Sequence, residues 1–131
     1  MDCIFCRIIQ KTEPAFVVYE DDICLAILDK YPQTRGHIQL IPKKHFRYIY
    51  DAPEMGEIFD RAQKIIRGII SVLGADHVTI GTFGQQISHA HIWIVPQYGS
   101  GVHLVEKSRK MQSQDNQKLA LILKNAIVKE V

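Results

Sequence analysis

Two histidines one residue apart, His89 and His91, sit in the run Gln86-Ile87-Ser88-His89-Ala90-His91-Ile92-Trp93-Ile94-Val95-Pro96. In extended chain successive side chains point to opposite faces, so His89, His91 and Trp93 share one face and Ala90, Ile92 and Ile94 the other. The apolar face can seal a core. The imidazole row can attack an electrophile, move protons or bind a metal, because a neutral imidazole offers a free lone pair near neutral pH. A lone strand histidine more often faces solvent or satisfies a core hydrogen bond, so the surrounding residues decide. Cys3 and Cys6 have the two-residue spacing of a zinc half-site, in which both thiolates can point at one ion. A half-site by itself proves little. Redox chemistry, its usual rival, wants the pair at a helix start after a thioredoxin-like strand, and that setting is absent. Cys24, inside an apolar run, reads as a buried inert thiol.

The elements that must position these groups are legible from periodicity. Val17-Val18-Tyr19, Ile23 to Leu28 and His37 to Ile41 are strand-like and separated by turn-forming clusters, which suggests an antiparallel meander. Ile4 to Ile9 is short and apolar, enough for one or two helical turns covering a sheet edge, and Glu13-Pro14 ends it. After Pro53, the residues Met55, Ile58, Phe59, Ala62, Ile65, Ile66, Ile69, Ile70 and Leu73 recur at helical spacing. Pro53 suits the first turn of that helix and Gly74 its C-terminal cap. Two strands follow, near Val78 to Phe83 and Ile87 to Val95, joined by a tight Gly84-Gln85 turn. Tyr98 to Gln114 reads as a loop. From Asp115 a second helix places Leu119, Ile122, Leu123, Ala126 and Ile127 on one face. The expected fold is α+β: an antiparallel sheet with one long helix packed on it and a C-terminal helix.

At 131 residues the chain has the size of one domain and can bury a sizeable core. The expectation is a single domain over 1–131, with its core in about 3–98 and the C-terminal loop and helix in 99–131. The 47% hydrophobic and 23% charged residues are those of a soluble globular protein, with no apolar run long enough to span a bilayer. A net charge of +2, its signs interspersed, gives no broad field for a nucleic-acid backbone. Neither a membrane nor a nucleic-acid polymer is expected as partner. No secretory signal is readable in Met1 to Arg7, and three cysteines make no disulfide framework, so the expected location is cytoplasmic.

Three blocks, in this order, resemble the histidine triad (HIT) family of nucleotide hydrolases and transferases. The first is Cys3 to Ile9 with Tyr19-Glu20-Asp21-Asp22 and Ala26-Ile27-Leu28-Asp29; the second is Gly36 to His45; the third is Gly84-Gln85 leading into His89-Ala90-His91. The likeness runs from Cys3 to about Tyr98 and is greatest to small bacterial members with an N-terminal cysteine pair. It implies a HIT-like fold in which the middle histidine, here His91, attacks the α-phosphorus of a purine nucleotide to form a nucleotidyl-histidine that water resolves. It implies Gly84, Gln85, Gln86 and Ser88 as phosphate donors, Phe5, Ile8, Ile27 and Leu28 as walls for the base, and Asp29 as acceptor from ribose hydroxyls. Family members with the cysteine pair complete a structural Zn2+ site with two histidines, here His45 and His89. Their dimers join long helices and central strands across a two-fold axis, which implies a homodimer with the C-terminal segment near the partner's site.

The sequence also departs from the family pattern. Where active hydrolases carry a third histidine this chain has Trp93, whose indole donates one hydrogen bond and carries no proton. The segment Ile80 to Gly84 reads as a short turn without the family's asparagine, and Gln97 stands where an arginine is common. Transferases of the family carry glutamine at the third position, so chemistry on the middle histidine survives change there. Trp93 either stacks on substrate or fills space. Two readings stay open: a hydrolase or nucleotidyl transferase acting on a phosphoramidate, phosphoanhydride or dinucleoside polyphosphate, and a catalytically weakened nucleotide-binding or regulatory module. A ligand-free zinc scaffold is a third.

Overall fold

The alternating apolar runs build one five-stranded antiparallel sheet in the order β1-β2-β3-β5-β4. The computed structural model describes residues 2–102, 104, 110 and 113–131. Its strands are β1 (Val17–Glu20), β2 (Cys24–Leu28), β3 (Ile38–Pro42), β4 (His77–Thr82) and β5 (Ile92–Gln97), and its helices α1 (Ile4–Ile9), α2 (Met55–Leu73) and α3 (Ser113–Val128). A 3-10 turn at Ile49–Asp51 leads towards α2. The architecture is the α+β arrangement read from the sequence. No helix among the described residues is long and apolar enough to cross a membrane.

Strand alternation divides the sheet into two faces. Leu25 pairs with Ile41, Ile27 with Gln39, and Gln39 with Trp93, so these residues share a face. Cys24, Ala26, Leu28, Ile38, Leu40, Ile92 and Ile94 line the other face, which α2 and α3 cover. Helix α1 was expected at a sheet edge; instead Phe5 and Ile8, one turn apart, pack on Leu25, Ile27 and Ile41 in the middle of the first face. Two apolar side chains on so short a helix gain more from a flat strand surface than from an edge of unpaired backbone.

Helix α2 buries Ile58, Ala62, Ile65 and Ile69, each large side chain contributing about 1.5–3 kcal/mol when removed from water. Gly74 ends it at φ 68°, a left-handed cap that costs glycine nothing. Glu54 is the N-cap, so Pro53 precedes the first turn rather than occupying it. Arg61 ties the helix to the sheet by donating to Asp21 at 2.8 Å, in the turn between β1 and β2. On α3 the buried stripe is Asn116, Leu119, Ala120, Leu123 and Ile127. Ile122, expected on that stripe, is 40% exposed because at about 100° per residue it lies well to one side of the stripe centred on Asn116, Leu123 and Ile127. Gly68 lets the two helices approach: a Cβ there would stand 3.0 Å from the Ile127 Cα.

Two expectations near the histidines are corrected. The segment Ile87 to His91 is not strand, since β5 begins at Ile92, and Gly84-Gln85 belongs to an irregular stretch of residues 83–91 rather than a tight turn. Competing partners hold that backbone out of the ladder: the Ala90 N–H donates to the Phe46 carbonyl, and the Thr82 hydroxyl donates to the His91 carbonyl at 2.6 Å. The side-to-side alternation nevertheless persists, with Ala90 in the helix-covered core and His91 against Phe5. Of the expected loop from Tyr98 to Gln114, residues 103, 105–109, 111 and 112 lie outside the described residues.

Candidate active site and metal centre

Cys3 caps α1, its Sγ accepting from the Cys6 N–H at 3.3 Å, and Cys6 follows one turn on. His45 comes from the end of the Pro-Lys-Lys-His run after β3, and His89 from the stretch before β5. The Sγ atoms of Cys3 and Cys6 stand 3.3 and 3.5 Å from His89 Nδ1, and Cys6 Sγ stands 3.3 Å from His45 Nδ1. All four ligand atoms lie within 4.8 Å of one another. Tetrahedral zinc bonds of about 2.3 Å to sulfur and about 2.0 Å to nitrogen put such atoms roughly 3.5 Å apart, so this donor set suits the ion. Two further features agree. His89 Nε2–H donates to the Pro42 carbonyl at 2.8 Å, which leaves Nδ1 as the lone pair facing the thiols. Burial and the neighbouring Cys3 push the Cys6 thiol up to about 11, so ionising Cys6 calls for a positive charge beside it.

Next to this cluster His91 Nδ1–H donates to the His89 carbonyl at 2.8 Å, which orients the ring and leaves the Nε2 lone pair unshared by that bond. Burial lowers the His91 pKa against opposing contributions from that carbonyl and from Asp29, which favours the neutral ring. The ring is 4% exposed, with Phe5 packed edge-on at 5.5 Å and Phe83 at 6.4 Å. Of the candidate base walls, Phe5, Ile8 and Ile27 form one packed cluster. Leu28 does not join them. As the neighbour of Ile27 on a strand it faces the opposite way, into the core under α2, so it cannot wall the same pocket.

Asp29 accepts from the Tyr31 N–H at 2.8 Å and from Gln39 Nε2 at 2.9 Å. His37 Nε2 lies 3.7 Å from the same carboxylate. His37 is fully enclosed, its Nδ1 accepting from the Gln33 N–H at 3.0 Å, and burial drives its pKa down to about 4 despite Asp29. His37 Nε2 and Gln39 Oε1 are buried without a hydrogen-bond partner. Neither residue was assigned a role from the sequence. The signal was present, since two polar side chains at alternate positions of an otherwise apolar strand must share one face. Trp93 is half-buried and packs edge-on against His37 at 4.6 Å and Phe83 at 4.9 Å.

Gly84, Gln85, Gln86 and Ser88 lie together on the stretch leading into His89. Gly84 is buried and the other three are exposed. A cavity of about 280 Å³ opens there, lined by Tyr48, Tyr50, Thr82, Phe83, Gly84 and Gln85. A larger one, about 620 Å³, lies between the start of β1 and α3 and touches none of the candidate residues.

An antiparallel sheet bearing a paired-histidine segment beside a Cys2His2 cluster defines a HIT-type protein, and the chain belongs to the HIT domain family, whose model matches residues 10–100. The chain is 35% identical over 103 residues to an adenylylsulfatase, HINT3, of Arabidopsis thaliana, covering 73% of this chain and 52% of that one, so it spans about half the plant protein's length. A histidine triad nucleotide-binding protein of Sulfolobus tokodaii, hypothetical by its description, superposes with a TM-score of 0.86 at 29% identity over 97% of this chain and 93% of that one. A zinc-bound HIT family protein of Mycobacterium smegmatis does so with a TM-score of 0.82 at 31% identity, over 98% and 95%.

Proposed function

We propose that this chain is a nucleotide hydrolase or nucleotidyl transferase acting at the α-phosphorus of a purine nucleotide conjugate: a phosphoramidate, a phosphoanhydride or a dinucleoside polyphosphate. The observation that carries the reading is the His91 Nδ1–H bond to the His89 carbonyl, which fixes the tautomer with the Nε2 lone pair available for attack. As Nε2 bonds to phosphorus, the bond from phosphorus to the leaving group breaks and the departing atom takes a proton from water. A second water then cleaves the phosphorus–nitrogen bond, releasing the mononucleotide and restoring the imidazole. Donors on Gly84, Gln85, Gln86 and Ser88 stabilise charge on the phosphoryl oxygens. Phe5, Ile8 and Ile27 back the base, and Asp29, held by Tyr31 and Gln39, accepts from ribose. The relatives' names, adenylylsulfatase and nucleotide-binding protein, support a nucleotide as ligand.

Cys3, Cys6, His45 and His89 would hold one zinc ion, and the zinc-bound relative supports this. Four protein ligands leave no open position, so the ion would brace α1 against the segment carrying His91. The chain works as one domain and as a homodimer. The half-exposed Ile80 on the unpaired edge of β4, with Ile70 and Val72 outward on α2, supplies apolar surface for a second copy. The chain works in the cytoplasm, where a thiol such as Cys24 stays reduced and Cys3 and Cys6 are kept for the ion.

The test is turnover of AMP joined to an amine. Release of AMP should be abolished by His91→Ala, and equal release by both proteins would end the reading. Trp93 favours the second reading, a module that binds nucleotide without turning it over, because an indole cannot replace a proton-carrying histidine. That module would bind AMP in calorimetry yet show no turnover that depends on His91.

A further inference from the structure

Beside Asp29 two buried polar atoms have no hydrogen-bond partner among the described residues: Gln39 Oε1 and His37 Nε2. Gln39 stands on the open face of the sheet, paired with Ile27 on one side and Trp93 on the other, so its amide lies in the candidate site rather than under the helices. A buried acceptor left unserved is costly, and native folds hold few of them.

The hydrogen-bonding capacity of the cluster can be counted. Gln39 Nε2 donates to Asp29 Oδ2 at 2.9 Å, which sets the amide's orientation and turns Oε1 into the free acceptor. His37 Nδ1 accepts from the Gln33 N–H, so the ring's proton sits on Nε2, 3.7 Å from Asp29 Oδ2 and too far for a hydrogen bond. The two Asp29 oxygens accept one N–H each, from Tyr31 and Gln39, and each keeps a lone pair. The Asp29 side chain is 16% exposed, so a ligand can reach it.

Acceptors on two neighbouring side chains, with one N–H donor beside them, call for a particular ligand chemistry. A lone hydroxyl carries one proton and serves one acceptor. Two vicinal hydroxyls serve both side chains, and their oxygens still accept.

We infer that Gln39 is a specificity residue for the sugar: its Oε1 accepts from one hydroxyl of the ribose while Asp29 accepts from the other, so the site selects a nucleotide with both hydroxyls over one lacking either. The inference rests on the reading of Asp29 given under Proposed function. The last torsion of a glutamine side chain is soft, so Oε1 turns to a sugar seated on Asp29 with little strain. A sugar without that hydroxyl leaves the amide oxygen buried and unserved, and a site built to hydrogen-bond a hydroxyl rejects such an analogue for that reason.

The experiment is calorimetry with AMP, 2′-deoxy-AMP and 3′-deoxy-AMP on the unaltered protein, on Gln39→Leu and on Gln39→Met. Both replacements are apolar side chains close in size to glutamine, set among the apolar neighbours Ile27, Leu25 and Ile41. Each deoxynucleotide should bind the unaltered protein roughly tenfold more weakly than AMP. In either variant the penalty for one of the two hydroxyls should fall to near one while the other remains. Ratios of Kd on one preparation do not depend on how much of it is folded. No penalty in the unaltered protein, penalties that neither variant changes, or two penalties that fall together because Gln39 only holds Asp29 in place would each overturn the inference and leave the nucleotide reading standing. If AMP itself does not bind, the nucleotide reading falls and the inference falls with it.

Discussion

At the scale of single residues, His37 beside the candidate site is strongly perturbed by its surroundings. Burial lowers its pKa from 6.5 to about 4, so between those values the unfolded chain takes up a proton that the folded one refuses. Stability therefore falls as pH drops through that window, with a slope of at most about 1.4 kcal/mol per pH unit from this one group. Urea denaturation at a series of pH values should show a shallower slope for His37→Gln than for the unaltered protein; identical slopes would contradict the account. Gly84 offers a second check at this scale. With the Tyr48 ring 2.5 Å from any Cβ, Gly84→Ala should cost about 1–3 kcal/mol, read as a lowered Tm. Residue types and spacing alone pointed to the His89–His91 row and to the Cys3–Cys6 pair, whereas the choice of His91 as nucleophile needed the likeness to the HIT family. The aromatic walls of the smaller cavity, Tyr48, Tyr50 and Phe83, were not legible, because they converge only once Gly84 seats the loop on Tyr48. Leu28 was misplaced because adjacent strand residues cannot line one pocket.

At the scale of elements, periodicity located α2 and the β1-β2-β3 meander, since an apolar stripe has one way to be buried. The start of β5 was misread for a related reason. Alternation of side chains reports which way residues face and says nothing about where their N–H groups go, and Ala90 donates to Phe46 instead of to a neighbouring strand. The two glycines of α2, Gly56 in its first turn and Gly68 in its interior, make a paired test of helix packing. Nothing lies within 4 Å of a Cβ at Gly56, so Gly56→Ala should stabilise by up to about 1 kcal/mol through helix propensity. A Cβ at Gly68 meets the Ile127 backbone at 3.0 Å, and backbone cannot rotate aside, so Gly68→Val should cost about 1–3 kcal/mol. Denaturation midpoints that move in the same direction for both would show that α2 and α3 do not meet as described.

At the scale of the whole molecule, four side chains from distant parts of the sequence, Cys3, Cys6, His45 and His89, are drawn together across the open face of the sheet. An ion held there ties α1 to the segment that carries His91, and folded protein gains stability by mass action, about 4 kcal/mol when zinc stands a thousandfold above its Kd. Native mass spectrometry should count one zinc per chain, and Cys6→Ser should lose the ion and lower Tm; an unchanged zinc count would remove the site. The sequence supplied the cysteine half of this cluster by spacing, whereas His45 and His89 needed the likeness to a family, because nothing local marks residues that meet only in the fold. The central claim, that His91 becomes covalently joined to the nucleotide, is tested most directly by acid-quenching the protein during turnover of an AMP phosphoramidate and weighing it intact. The account predicts a population heavier by one adenylyl group, carried on His91 and missing from His91→Ala. Turnover with no such adduct on His91, or an adduct that persists in His91→Ala, would contradict it.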